Sequence, residues 1–304
     1  HLLLYSQIEA VLAAFEAAGI RLLVLKGPVN ADDLYGRSAW RPMVDLDLLV
    51  HEADWERSLA LLGGLGFSAE GSTWSGLTEQ LTGQVAMLKP LGPMVAAIEL
   101  HRDLRILSER LAVRGEVSLP RAWEEAEPYT CGRAHAWRLS REDALAYAST
   151  HWAQHHFYGS IWLVDIALMA ARGDLSWDKL VRQAESDGVA SFVWAALFMA
   201  QLLFAAPVPP EVLTALQPPF PKATIIKHLV WKKTLQGFRE EADGRSILLQ
   251  LMLFASWRWT VAGLMSGMWP SAQWLRQHYE PDGKTPRHRL LLRHWGNLLR
   301  LVRG

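Results

Sequence analysis

Asp45 and Asp47 are separated by a single leucine and lie within an otherwise apolar run that ends at Val50. In a β-strand successive side chains point to opposite faces, so both carboxylates project from one face, roughly 6.5 to 7 Å apart. Like charges at this spacing repel, and each loses hydration beside a core. A divalent cation relieves both penalties, and Mg²⁺ is typically held by one or two carboxylates together with substrate phosphates. The pattern therefore predicts a metal and nucleotide site, with a solvent-facing pair at a strand end as the alternative.

A strand-to-helix turn precedes this pair. The apolar run over 21–25 predicts a short strand that ends at Lys26-Gly27, and helical spacing resumes through Val29 and Leu34. Glycine lets a backbone approach a phosphate closely, and helix N-termini attract anions through their free amides. Pro28 lacks an N–H group, but that loss costs little at the first helical position. The Lys26-Gly27 turn is therefore a predicted phosphate-binding element.

A third carboxylate follows on a later strand. Segments 84–89 and 94–101 flank a turn that contains two prolines and a glycine, which predicts a hairpin. Its second strand places Glu99 and His101 on one face, where Glu99 would add a third carboxylate to the aspartate pair. The alternative is a Glu–His pair with a purely structural role.

These segments together resemble the polymerase-β-like nucleotidyltransferases, which combine a strand, a glycine turn, a helix, an Asp-x-Asp strand and a later carboxylate. More narrowly, the sequence resembles the bacterial nucleotidyltransferases grouped as uncharacterised. The resemblance spans most of residues 20 to 170, and its most specific block is Arg-Pro-Met-x-Asp-x-Asp-x-Leu-Val at 41–50. The other matching segments are Leu25-Lys26-Gly27, Leu34-Tyr35, Gly66-Phe67, Ile98-Glu99-Leu100-His101, His151 and 163–168.

The resemblance implies transfer of a nucleoside monophosphate from a nucleoside triphosphate, with Mg²⁺ or Mn²⁺ as cofactor and pyrophosphate as product. Asp45, Asp47 and Glu99 would be both the metal ligands and the catalytic carboxylates, and the Lys26-Gly27 turn would face the triphosphate. The sequence departs from the family pattern in two places. Gly27-Pro28 stands where a Gly-Ser or Gly-Gly pair is usual, and Glu99 stands where aspartate is more common.

Further residues are assigned to nucleotide binding. Arg41, or Arg37 before it, would neutralise triphosphate charge, because guanidinium groups match phosphate oxygens; a surface ion pair is the alternative. The resemblance implies that His151 and Asp165 face a cleft between domains and contact nucleotide or acceptor. His151 also shares a helix face with His155, a spacing that binds zinc when a third ligand arrives. His101 would support Glu99 from beside the metals.

Two other functions remain open at this point. The departures at Gly27-Pro28 and Glu99 would suit a degenerate fold that binds a nucleotide or peptide without turnover. The same fold could instead transfer the γ-phosphoryl group and act as a kinase. The acceptor, by analogy alone, is a small molecule or a peptide.

Composition narrows the class of protein. The 304 residues contain 31 basic and 31 acidic side chains, so no global field favours a polynucleotide partner. Cys131 is the single cysteine, which excludes an internal disulfide and is typical of a reducing cytoplasm. Two apolar runs, 189–206 and 246–269, reach the length of a membrane span, but the second carries Arg258 at its centre. We expect buried helices rather than membrane spans.

The order of the elements predicts an α+β protein. Residues 1–132 would form the catalytic domain, a nucleotidyltransferase-type mixed sheet with helices, and residues 133–304 an all-α domain. Ser140 and Asp143 fit the start of the first helix of that domain, as an N-cap serine and a first-turn acid. The boundary is placed at Gly132, after a polar stretch punctuated by Pro120 and Pro128.

Overall fold

The computed structural model describes residues 2–36, 40–69, 83–104, 107–108, 113–114, 119–157, 159–235, 244–254, 257–280 and 285–303. The chain divides into two compact units. The first comprises 1–105 and 119–147, and the second comprises 106–118 and 148–304. Arg37 lies outside the described residues.

The helices and strands alternate at first and then give way to helices alone. The strands are β1 (Leu22–Val24), β2 (Asp45–Val50), β3 (Ser68–Ala69), β4 (Gln84–Leu91), β5 (Met94–His101), β6 (Leu107–Ser108), β7 (Val113–Arg114), β8 (Glu127–Cys131) and β9 (Ala134–Arg138). The helices are α1 (Leu2–Ala17), α2 (Pro28–Tyr35), α3 (Trp55–Gly64), α4 (Arg141–Gln154), α5 (Ser160–Ala171), α6 (Trp177–Ser186), α7 (Ala190–Phe204), α8 (Pro210–Leu216), α9 (Lys222–Leu235), α10 (Gly244–Leu253), α11 (Trp257–Met268), α12 (Ala272–Tyr279) and α13 (Arg287–Arg303).

The first unit is built on a mixed seven-stranded sheet in the order β3-β4-β5-β2-β1-β9-β8. Strand β2 lies at its centre, antiparallel to β1 and parallel to β5. The predicted hairpin of β4 and β5 is confirmed, with Leu91 opposite Met94 at its turn. A separate two-stranded ribbon pairs β6 with β7.

The core of this unit lies between the sheet and helices α1 and α3. Leu46, Leu48 and Val50 of β2 are almost fully buried, together with Leu12 and Phe15 of α1. Leu49, on the opposite face of β2, is also buried. Apolar cover on both faces is typical of a central strand, and Asp47 of that strand has no exposed surface.

Strands β8 and β9 were not foreseen from the sequence. They form a hairpin whose turn contains Gly132, and β9 pairs in parallel with β1. Pro128 sits in β8, the edge strand of the sheet, where a missing backbone donor is tolerated. The domain boundary expected after Gly132 falls within this hairpin, whereas the compact unit continues to Tyr147.

Helix α4 begins as predicted from Ser140. The Ser140 hydroxyl accepts a hydrogen bond from the Asp143 backbone amide at 3.3 Å and donates one to the Asp143 carboxylate at 2.9 Å. This reciprocal pair fixes the first turn of the helix. The α+β class, with a mixed sheet followed by helices, is confirmed.

The long apolar run at 189–206 forms α7, in which nine residues from Ser191 to Ala200 are buried. Helix α7 packs against α5, and its three last residues, from Leu202 to Phe204, are exposed. Across the described part of the chain, no helix is at once long and apolar enough to span a membrane.

Candidate active site

Asp47 and Glu99 are brought side by side by the register of two parallel strands. Asp47 of β2 lies opposite Glu99 of β5. Neighbouring strands are roughly 4.8 Å apart, and paired residues point to the same face, so the two carboxylates converge. Asp47 has no exposed surface, whereas the side chains of Asp45 and Glu99 remain about a quarter exposed, at 25% and 27%. The predicted one-face arrangement of two aspartates and a glutamate is therefore present.

Lys26 points into this group of carboxylates. Strand β1 ends at Val24, which pairs with Leu48, so the chain leaving β1 runs beside the start of β2. The Lys26 ammonium lies 3.0 Å from Asp47 Oδ2 and 3.6 Å from Asp45 Oδ2. Lys26 is 7% exposed, so its charge interacts with the aspartates through protein rather than through water.

His101 contacts the other carboxylate oxygen of Asp47, the one that does not face Lys26. Its Nε2 atom is 3.5 Å from Asp47 Oδ1 and 3.9 Å from Glu99 Oε2. That nitrogen is buried and makes no hydrogen bond within the described part of the structure. Among the described residues, Asp47, Glu99 and His101 form the group of three potential ligands whose donor atoms lie within 4.8 Å of one another. His101 therefore lies beside both Asp47 and Glu99, and its role in the site stays a prediction.

Tyr147 of α4 also contacts Asp47, and the sequence analysis missed this residue. Its hydroxyl lies 3.5 Å from Asp47 Oδ1, and the contact is buried. Burial raises the pKa of Tyr147 well above its usual value, and the charge of Asp47 adds to this. Tyr147 is therefore a neutral donor toward the carboxylate. One tyrosine within an apolar helix face carries no signal of such a contact.

The electrostatics of the site are those of several carboxylates crowded around one ammonium. Burial, reinforced by the charge of Asp47, raises the pKa of Glu99 from 4.5 to about 7. Burial and Asp47 also raise the pKa of Asp45 above its usual value, although Lys26 opposes them. Burial lowers the pKa of Lys26, but the neighbouring carboxylates, Asp47 foremost, outweigh it and raise that pKa overall. The site as it stands has an excess of negative charge that a further cation would neutralise.

The turn after Lys26 requires glycine. Gly27 has φ 68° and ψ −102°, and a Cβ atom there would lie 3.1 Å from the Met43 sulfur. Gly27 caps the N-terminus of α2 and accepts a hydrogen bond from the Ala31 amide at 2.9 Å. Pro28 occupies the first helical turn, as the sequence predicts.

Three other predicted residues have been placed. Arg41 lies in the segment before β2 and is buried, 3% exposed. His151 and Asp165 belong to the helical unit, in α4 and α5, and both are buried. The His151 ring lies 4.4 Å from that of His155 and 4.8 Å from that of Trp162. A nucleotide or acceptor role for these three residues stays a prediction.

The residues present suit a divalent cation. Two carboxylates and an imidazole converge, and the buried His101 Nε2 has no hydrogen-bond partner within the described residues. Carboxylate and imidazole are ligands that divalent metals accept in proteins. The orphaned nitrogen would gain a partner, and the crowded carboxylates would lose their repulsion.

The chain is similar to several solved structures. A solution structure of the antibiotic-resistance factor ANT(2'')-Ia is 14% identical and covers 60% of this chain and 89% of its own, with a TM-score of 0.41. A crystal structure of ANT(2'')-Ia with adenylyl-2''-tobramycin is 17% identical and covers 60% and 95%, with a TM-score of 0.40. An antigenic nucleotidyltransferase-like protein from Paracoccidioides brasiliensis is 13% identical and covers 70% and 91%, with a TM-score of 0.39.

At these scores the structural likeness carries no inference about substrate. A search of curated proteins finds no match to the chain. The family profile is decisive, because residues 1–205 match it and include the glycine turn and all three carboxylates. This chain belongs to the family of uncharacterised nucleotidyltransferases.

Proposed function

We propose that the protein transfers a nucleoside monophosphate from a nucleoside triphosphate to a hydroxyl or similar nucleophile of a small molecule or peptide, with release of pyrophosphate. The observation that carries this proposal is the fully buried Asp47 carboxylate, paired in register with Glu99 and flanked by Asp45. A buried charge is retained only where it is compensated, and here the single Lys26 ammonium faces three carboxylates, those of Asp45, Asp47 and Glu99.

Each residue of the cluster has a role in this proposal. Asp45, Asp47 and Glu99 provide the negative charge that holds Mg²⁺ or Mn²⁺. When bound, the metal would stabilise the attacking and leaving oxygens of an in-line displacement at the α-phosphorus. We propose that Glu99 also accepts the acceptor's proton; in the metal-free protein, burial and Asp47 raise its pKa to about 7.

The glycine turn supports binding of the triphosphate. Gly27 brings the N-terminus of α2 next to the start of β2, since its added Cβ would lie 3.9 Å from the Asp45 carbonyl oxygen. The amides at a helix N-terminus favour an anion, and no side chain caps α2 at Gly27. Arg41, His151 and Asp165 remain proposed contacts of the nucleotide or the acceptor.

The nature of the acceptor rests on charge balance. Equal numbers of acidic and basic residues give no field that would gather a polynucleotide. We therefore propose a small-molecule or peptide acceptor, with a soluble cytoplasmic setting suggested by the single cysteine.

The test follows the fate of the label. Triphosphates labelled at the α- or the γ-phosphorus are incubated with Mg²⁺ and with pools of peptides, sugars and aminoglycosides. Nucleotidyl transfer moves the α-label to the acceptor and releases pyrophosphate, which Asp47→Asn should abolish. Transfer of the γ-label with nucleoside diphosphate as product would show a kinase instead. Binding of triphosphate without either product in any pool would favour a degenerate binding module.

A further inference from the structure

The two oxygens of Asp47 face different partners. Oδ2 lies 3.0 Å from the Lys26 ammonium, whereas Oδ1 lies 3.5 Å from both His101 Nε2 and the Tyr147 hydroxyl. One carboxylate thus divides the site into a lysine side and a histidine side. The two sides have different chemistry, because an ammonium already supplies positive charge on the first.

On the lysine side, one ammonium bridges both aspartates. Lys26 lies 3.0 Å from Asp47 and 3.6 Å from Asp45 and supplies one positive charge to both aspartates, where polymerases and nucleases use two metal ions. Asp45 is not in the described group of converging ligands, which consists of Asp47, Glu99 and His101. Without nucleotide, the charge of Asp45 thus already has a positive partner, the Lys26 ammonium at 3.6 Å.

On the histidine side, Asp47, Glu99 and His101 offer two carboxylates and one imidazole nitrogen as potential metal ligands. His101 is 6% exposed, and its Nε2 atom makes no hydrogen bond within the described residues. The atom points between Asp47 and Glu99, at 3.5 and 3.9 Å from their oxygens. A buried polar atom without a partner calls for an explanation, and a metal bound there would provide one.

We propose that the protein alone binds one divalent ion, through Asp47, Glu99 and His101, and that the Lys26 ammonium takes the place of a second ion between Asp45 and Asp47. Lys26 is then a positioning residue that holds the Asp-x-Asp pair in its binding geometry. The inference concerns the site of the proposed nucleotidyl transfer, but it makes a separate statement about how many ions that site holds.

The test counts bound Mn²⁺ in protein without nucleotide, by calorimetry and by electron paramagnetic resonance of the free ion. Wild type should bind one Mn²⁺ per chain. Lys26→Met removes the ammonium and should bind two, at a site now opened between the aspartates. Lys89→Met is the matched control, because Lys89 lies on the same sheet and donates a hydrogen bond to Gln7 at 2.8 Å. The Lys89→Met variant should bind one Mn²⁺ per chain.

Pulsed resonance of the bound Mn²⁺ supplies a second readout. The wild-type ion should show coupling to a directly bound imidazole nitrogen, and His101→Gln should remove that coupling.

The proposal would be overturned by two ions in wild type, by no ion in wild type, or by one ion in both wild type and folded Lys26→Met. If Lys26→Met does not fold, Lys26→Gln replaces it, and the wild-type count and nitrogen coupling still decide. These counts do not depend on turnover, so failure here and failure of nucleotidyl transfer are distinguishable.

Discussion

At the scale of single residues, Asp47 is the group on which the other site residues converge. It has no exposed surface and contacts Lys26, His101 and Tyr147. Because these partners approach from different elements, a change at this position affects the charge of the whole site. A neutral isostere tests this without altering volume.

Asp47→Asn should lower the rate of nucleotidyl transfer by more than about 100-fold, because Asp47 is proposed as a direct metal ligand and loss of residues that merely support a ligand typically costs roughly 10–100-fold. Asp174→Asn is the control, since Asp174 forms an ion pair with Arg172 at 2.9 Å outside the carboxylate cluster. Initial rates at saturating Mg²⁺ compare the two. Equal rates for Asp47→Asn and wild type would remove Asp47 from the mechanism.

The pKa of Glu99 predicts how stability depends on pH in the metal-free protein. In the folded state this carboxyl keeps its proton up to a pH of about 7, whereas in the unfolded state it loses the proton near 4.5. Between these values the folded state binds more protons, so the free energy of unfolding falls as pH rises. The decline ends above pH 7, once both states are ionised.

The measurement is the melting temperature from pH 5 to pH 8 in the presence of a chelator. Glu99→Gln should show a shallower fall than wild type, because its amide does not titrate. Asp45 contributes with the same sign in both proteins, since its pKa is also raised, by burial and then by Asp47. Parallel curves for wild type and Glu99→Gln would show that Glu99 is not desolvated as described.

Much of the residue-level site was predictable from the sequence. Strand alternation alone placed Asp45 with Asp47 and Glu99 with His101, because spacing by two is preserved in any strand. The target of Lys26 and the contact of Tyr147 were not predictable. Both depend on where a side chain reaches across the fold, and no local pattern records that.

At the scale of elements, the turn between β1 and α2 sets the geometry of the site. Gly27 adopts a conformation that other residues avoid, with a Met43 sulfur close to its missing Cβ. Two side chains of the β8–β9 hairpin hold helix α2: Tyr129 donates a hydrogen bond to Asp32 at 2.8 Å, and Arg138 pairs with Asp33. The turn is thus constrained by the backbone conformation of Gly27 and by the contacts of the helix that follows it.

Gly27→Ala should destabilise the protein by about 1–3 kcal/mol, the usual cost of a strained backbone conformation, and should weaken binding of the triphosphate. Gly36→Ala is a close control, because Gly36 also has positive φ, at 67°, with nothing within 4 Å of its added Cβ. It should cost about 1–2 kcal/mol and leave nucleotide affinity unchanged. Chemical denaturation and calorimetry measure both. Equal nucleotide affinity in Gly27→Ala and wild type would contradict a phosphate-binding turn.

Sequence analysis predicted the elements that carry strong local signals and missed a hairpin that carries none. Apolar alternation and the positions of Gly and Pro predict the first strands, the glycine turn and the β4–β5 hairpin. The β8–β9 hairpin was missed because Pro128 is typical of a loop, and its pairing with β1 is set by tertiary contacts. The first compact unit ends at Tyr147, and the domain boundary placed at Gly132 stays a prediction.

At the scale of the whole molecule, charge balance predicts the class of partner. With 31 basic and 31 acidic residues, we expect a labelled 20-mer of single-stranded RNA to bind more weakly than about 10⁻⁴ M at physiological salt, the weak end of non-specific affinity. Fluorescence anisotropy measures this directly. Micromolar binding with a steep salt dependence would instead point to a polynucleotide acceptor.

Asp45, Asp47 and Glu99 are proposed to form a metal-dependent nucleotide site. This proposal can be tested by calorimetric titration of each nucleoside triphosphate, with and without Mg²⁺, on wild type and on the double variant Asp45→Ala, Asp47→Ala. We predict that at least one triphosphate binds wild type only with Mg²⁺ and that the folded double variant does not bind it. Absence of triphosphate binding to folded wild type, or equal binding by the double variant, would contradict the account.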